Sequence, residues 1–379
     1  MRARPVRAPR TSAVTRLVEA ARRAWPRVPR AAVWVLVAVA LVIGGTLLTV
    51  GRADGDDETV RPEAARAVSD LPAPAPQWRL ESFLDAVVEV PASWGYAPAP
   101  ASDWCAATEQ PRVFPEQPYV NTRGPGAPVL MIACPPTGAA PDLHGGDVPR
   151  EHWAPHVWFA ATPAAGGVEE VPDGRVSTEG WTRLVRTVGS AKVFVLTDDA
   201  HLGEAERIIA SARQSAVDQH GCAASSPIQA GRFVSPPAPF DLARLDTVDS
   251  VAVCHYDLSR PVGTPGLLAS HELGGAGATA LLAAIQAAPV GGGPDTPDTC
   301  VTERWGDTGI VLRLTADGSS REAYVYYDWC FGNGIDDGTT RRALTPENCG
   351  PLWSGRVVVW SGSGAPFAAC DPAAVSGKA

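Results

Sequence analysis

No cysteine occurs in residues 1–104, and no two of the eight beyond them stand closer than 19 residues apart. There is no C-x-x-C and no regular Cys/His spacing, which excludes the common structural zinc patterns. Also absent are a P-loop, a dinucleotide fingerprint and an S-x-x-K motif. His271-Glu272 begins like a zincin helix, but Gly275 stands where the second histidine is needed. His152 and His156 have i, i+4 spacing, yet Pro155 between them disfavours the helix that would align them. Trp360-Ser-Gly-Ser363-Gly364 has Ser361 where a nucleophile elbow requires glycine.

Basic charge is scarce over most of the chain. Nine of the 32 basic residues precede residue 31, against Glu19 alone among the 41 acidic ones, leaving 23 basic and 40 acidic residues beyond, a net of −17. A surface of that sign repels phosphate backbones, so a nucleic-acid role is excluded. Wholesale disorder is excluded as well, because 45% apolar content supplies real cores.

Charge is missing altogether from Ala31 to Val50, AAVWVLVAVALVIGGTLLTV. Its 20 residues match the ~20 needed to cross ~30 Å of hydrocarbon as a helix. The Arg-rich arm 1–30 ahead of it, with only Arg52 close behind, predicts a cytoplasmic N-terminus and an exported remainder. The arm's TRLVEAARRAW stretch suits contact with anionic lipid. A cleaved signal peptide, cut near Gly51-Arg-Ala53, is the competing reading; the apolar core exceeds the ~7–15 residues usual for one.

What is present fits an exported protein. Cys105, Cys134, Cys222, Cys254, Cys300, Cys330, Cys349 and Cys370 all lie beyond the span, an even number that predicts up to four disulfides in an oxidising compartment. We expect Cys105 to bridge Cys134 and Cys300 to bridge Cys330; each pair brackets a segment of sheet, and each closure contributes roughly 3–4 kcal/mol in the chain-entropy view. Pairing of the other four stays open.

Residues 51–77, acidic and then Pro-rich, read as a tether. Residues 78–222 read as a first α+β domain. Its strands lie within WRLESFLDAVVEVP, VLMIAC (129–134), HVWFA (156–160), WTRLVRTV (181–188) and KVFVLTD (192–198), the last two forming a hairpin. Asp198 or Asp199 then caps a helix with Leu202, Ala205, Ile208, Ile209 and Ala212 on one face. Residues 223–239, rich in Ser and Pro, read as a linker, and 240–379 as a second α+β domain. There we predict a strand around Cys254, a helix over 278–288, a hairpin turning at Asp317-Gly318 and a last strand RVVVW (356–360). The fold class is thus α+β: one N-terminal transmembrane helix and two small disulfide-stabilised domains with mainly antiparallel sheets.

Four segments carry a resemblance: VEVPASWGY, Asp103-Trp104-Cys105, the SAR…D-x-x-GC run from Ser211 to Cys222, and CFGNGIDDGTTRRALT from Cys330 to Thr345. They resemble secreted or single-pass membrane proteins of high-GC actinobacteria, and 30 Arg against Lys192 and Lys378 fits such a genome. The resemblance implies architecture and location, not an activity, and assigns no functional residue.

The one segment that could hold an ion runs from Asp328 to Thr340. Asp328, Asn333, Asp336 and Asp337 offer hard oxygen ligands on a glycine-rich backbone, but without EF-hand spacing, and such clusters also build tight turns. No catalytic residue and no cofactor is predicted. Ten of the 12 Trp lie beyond residue 50 and are expected mostly in cores, with a few left for a recognition face. The sequence therefore predicts a membrane-anchored, non-catalytic binding or scaffolding protein with an envelope or protein partner. The alternative is an envelope hydrolase using carboxylates such as Asp328, Asp336 and Asp337.

Overall fold

In a computed structural model, the described residues are 71–101, 104–105, 113–122, 134, 148–163, 171–230, 233–295, 306–327 and 329–358. The expected transmembrane helix, the Arg-rich arm, the 129–133 strand, Asp328, Cys300, Cys370 and Ser361 lie outside them. Among the described residues no helix is long and apolar enough to cross a membrane.

Strands β1 (Trp78–Phe83) and β2 (Ala86–Pro91) form a hairpin turning on Leu84 and Asp85, with Phe83 opposite Ala86. Leu84 takes a positive φ of 54° there. β9 (Arg213–Gln214) pairs on the far side of β2. The second sheet comprises β3 (Gly95–Ala97), β4 (Tyr119–Asn121), β5 (His156–Ala161), β6 (Gly174–Thr178), β7 (Trp181–Val188) and β8 (Ala191–Asp198), in the order β3-β4-β5-β8-β7-β6. Its β3/β4 and β4/β5 pairs are parallel and the rest antiparallel. The expected 181–198 hairpin is present, and its turn tolerates only glycine: Gly189 has φ +55°, and a Cβ there would lie 2.3 Å from Asp85 Oδ2.

Helix α1 (Leu202–Ser211) follows β8. Asp198, at the strand end, accepts the His201 backbone N–H at 3.0 Å and so caps a 3₁₀ turn (Asp199–His201) that leads into α1. Ala205 and Ile208 are fully buried and join Phe83, Val88, Val90, Val157, Phe159, Val193 and Val195 in one core. Fully burying an aliphatic side chain of this size contributes about 1.5–3 kcal/mol, so this face of α1 anchors the helix.

The third sheet is antiparallel throughout, ordered β11-β10-β12-β13-β14-β15. β10 (Ser250–Asp257) is central, and β11 (Leu267–Gly274) is an edge strand that sequence reading missed because its second half, SHELG, is polar and partly exposed. β12 (Thr308–Ala316) and β13 (Ser319–Tyr326) form the expected hairpin, with Asp317 at φ 50° and Gly318 at φ 71°, the left-handed pair of a type I′ turn. β14 (Gly334–Asp336) and β15 (Arg341–Arg342) complete the sheet. Helix α2 (Gly275–Ala287) starts directly after β11, three residues ahead of the expected start; it packs Ala278, Leu281, Leu282 and Ile285 onto Val251, Val253, Ile310, Leu312 and Val325.

The other face of this sheet is covered by the stretch read as a linker. Cys222 is bridged to Cys254, Ile228 is fully buried, and Ser226 and Gln229 form a reciprocal capping box. Serine and proline there build caps and turns against the sheet. Arg356–Val358 is not a strand, contrary to the RVVVW reading. The Arg356 guanidinium is buried instead, donating to the carbonyl oxygens of Ser82 and Leu268 and lying 4.4 Å from the Phe159 ring centroid. Mainly antiparallel sheets, few helices and disulfides are what the fold contains.

Candidate functional site

The acidic turn is built by β13, β14 and β15. Asp336, opposite Tyr324 and Arg341 in register, accepts from Gly338 N at 2.8 Å, Ser235 Oγ at 3.0 Å and Arg341 Nη2 at 2.9 Å. Asp337 accepts from Thr339 N at 2.8 Å, Thr340 N at 2.7 Å and Leu242 N at 2.9 Å. Asn333, fully buried, accepts from Trp329 N and donates through Nδ2 to the oxygens of Trp329 (2.6 Å) and Pro294 (3.1 Å). The structure thus brings Asn333, Asp336 and Asp337 into one turn, but each points at a different set of partners. Their oxygens face N–H and O–H donors, the geometry of a turn pinned to its surroundings. Among the described residues no group of three or more His, Cys, Asp or Glu could hold a metal ion.

The histidine pairs separate. His271 and Glu272 lie on β11. His152 ends a 3₁₀ turn (Arg150–His152) and stacks on Phe114 at 3.8 Å, whereas His156 opens β5, stacks on Tyr119 at 4.9 Å and contacts the Ala154 carbonyl through Nδ1 at 2.9 Å. Near them Trp153 and Trp181 meet edge to face at 5.4 Å, with Trp104 and Trp158 partly buried around them. The Cys105–Cys134 disulfide adjoins Trp104 in sequence.

Three polar clusters escaped sequence reading. In the first, the buried Asp218 carboxylate accepts from Ser82 Oγ at 2.9 Å, from Ser270 Oγ, and from the backbone N–H groups of His220 (2.9 Å) and Cys222 (2.8 Å). It joins β1, β11 and the disulfide at Cys222. The Asp218-x-x-Gly-Cys222 run is its sequence trace, since Asp two and four residues before backbone donors closes such a turn. In the second, buried Glu81 accepts from Tyr96 Oη at 2.6 Å and Arg79 Nε at 2.8 Å; burial and the adjacent carboxylate push the Tyr96 phenol well above its ordinary range.

The third cluster has no local sequence trace, because its members come from three separate segments. Fully buried His255 on β10 contacts Tyr327 Oη through Nε2 at 2.8 Å, and the same Oη lies 2.6 Å from Thr308 Oγ1. Desolvation, then the nearby Arg356 charge, lowers its pKa to about 3. A ring so placed is a neutral hydrogen-bonding group at physiological pH. None of the three clusters sets a nucleophile against a base with an orienting third group, the arrangement acyl transfer requires.

No known protein family, curated protein or solved structure matches this chain.

Proposed function

We propose that the chain is a non-catalytic binding or scaffolding module, anchored by residues 31–50 and displayed outside the cytoplasmic membrane. The observation that carries this reading is the use to which the acidic turn is put: the oxygens of Asp336 and Asp337 accept six donors between them, five on the folded body and its turn and one from Arg341. Carboxylates committed in this way position chain and are not free to polarise a substrate. The disulfides Cys105–Cys134 and Cys222–Cys254 support an oxidising compartment, as the Arg asymmetry about residues 31–50 does independently. The partly buried tryptophans around Trp153 and Trp181 supply amphipathic rings suited to recognition of an envelope or protein partner.

Crosslinking on intact cells, followed by purification of the full chain, tests the reading. A defined partner is expected, captured equally by wild type and by a variant with Asp336 and Asp337 both replaced by Asn, provided both are folded. Hydrolytic activity of the purified exported region that disappears in that variant would establish the hydrolase alternative instead. Labelling of an engineered N-terminal cysteine by a membrane-impermeant reagent on intact cells would overturn the topology.

A further inference from the structure

His255 sits where the third sheet meets the chain that ties it to β1. Its Nε2 is engaged with Tyr327, while its Nδ1 is buried without a hydrogen-bond partner. The Trp353 ring meets it edge-on, centroids 6.2 Å apart, and meets Tyr327 in the same way at 4.8 Å. Three residues beyond Trp353, Arg356 donates to Ser82 O on β1 and Leu268 O on β11 and lies over the Phe159 and Phe83 rings. The segment 353–358 therefore wedges between His255 and the β1–β11 junction.

We propose that His255 is an acid-sensitive latch: its protonation releases the segment 353–358 and with it the Arg356 tie between β1 and β11. A proton on His255 has no carboxylate to meet it. Tyr327, just after β13, and Thr308 on β12 are neutral, α2 carries no ionisable residue, and Asp257, next on the same strand face, is turned to Ser259 N and Oγ. His271, two residues from Ala269 on β11, lies on the same side; burial lowers its pKa to about 4 against the opposing pull of the Pro351 backbone, so it is neutral in the closed state and charges with the same sign on opening. Arg356 is the charge that acts on His255, and it repels the proton. Glu81, which attracts Arg356, is shared with Arg79 and Tyr96. Two cations in one buried space without a counter-ion are relieved most readily by moving the one on the chain segment, because His255 is held in a central strand.

The sign follows from linkage. The ring's folded pKa of about 3 lies below its ordinary 6.5, so the closed state is fully favoured above pH 6.5 and loses ground as pH falls from there toward 3. At pH 5.0 the opening equilibrium is raised about 30-fold.

Hydrogen exchange of the full chain, corrected for intrinsic rates, at pH 7.5 and 5.0 tests the latch. In a His271→Gln background, which removes the other histidine that burial lowers beside Pro351, protection across 350–358 is expected to fall about 30-fold on acidification with the β7–β8 hairpin unchanged, and adding His255→Gln shrinks the fall to threefold or less. An undiminished fall after that addition, equal loss in both regions, or no pH dependence before it would overturn the latch. If either variant does not fold, exchange of the imidazole C–H in wild type decides: His255 should remain neutral in the closed protein down to pH 4, and titration near 6.5 refutes the latch.

Discussion

Replacing Asp337 by Asn separates a structural turn from an ion site. All three of its donors are backbone N–H groups, which cannot rotate to become acceptors. The amide oxygen will take the place of Oδ1, where Thr339 and Thr340 converge, and the NH₂ must then face the N–H of Leu242. That residue is 1% exposed and opens a 3₁₀ turn (Leu242–Arg244) into the core, so no water replaces the lost acceptor. Leaving one buried donor unpaired costs about 1–3 kcal/mol, and two charge-assisted bonds weaken toward neutral ones. Relief of carboxylate burial offsets part of this, for a net of about 2–4 kcal/mol, or about 5–12 °C in Tm for a folded body of this size. Asp336→Asn should cost less, about 1–2 kcal/mol: with the amide NH₂ in the place of Oδ2 the Ser235 hydroxyl can turn and accept, and the Arg341 bond that is lost belongs to a guanidinium partly open to water. Thermal unfolding followed by circular dichroism, with and without millimolar Ca²⁺ or EDTA, reads both variants. The reasoning fails if Ca²⁺ raises the wild-type Tm and Asp337→Asn abolishes that rise, or if the Asn variant melts with wild type.

Asp218→Ala, which strips acceptors from two hydroxyls and two backbone N–H groups, should cost about 3–5 kcal/mol in urea unfolding. Asp218→Asn should cost only about 1–2 kcal/mol, since the Ser82 and Ser270 hydroxyls can reverse and accept from its NH₂; equal effects would contradict the assignment. Gly189→Ala forces a methyl against Asp85 at a positive φ and is expected to lower stability by about 2–3 kcal/mol, measured by thermal melting; a neutral result would mean the Asp85 contacts to Ser190 and Gln214 do not hold the hairpin in place. Peptide mapping without reduction should recover Cys105 linked to Cys134 and Cys222 linked to Cys254, and free thiols at these positions would refute the oxidised framework.

The parts of the fold legible in the sequence are those whose signals are local. The β12–β13 hairpin was readable because alternation and an Asp-Gly turn lie within 20 residues, and α1 because Ala205 and Ile208 share a face and Asp198 closes the turn before it. β11 was not readable. Its apolar half is three residues long, and it is held by pairing with β10, which no local pattern encodes. The stretch 223–239 misled for the opposite reason. Ser226 and Pro227 are a linker's composition, but Ser-Pro-x-Gln is also a capping box, and the buried Ile228 behind it decides in favour of packing.

Arg356 shows where such reading stops. RVVVW has strand composition, and what prevents a strand is a guanidinium whose acceptors lie 274 and 88 residues earlier, at Ser82 and Leu268. A buried arginine with two carbonyl acceptors and aromatic rings beneath it is held by hydrogen bonds and cation–π contact rather than by an ion pair. Its charge then becomes part of the environment of His255, adding to the desolvation that already holds that ring neutral. The same long-range convergence built Asp218 with Ser82 and Ser270. In each case one polar group closes the junction between β1 and β11, and removing its partners leaves a buried donor or charge with nowhere to go. Burial alone would let these two strands slide along each other, whereas directional bonds to Ser82 from both sides fix one register.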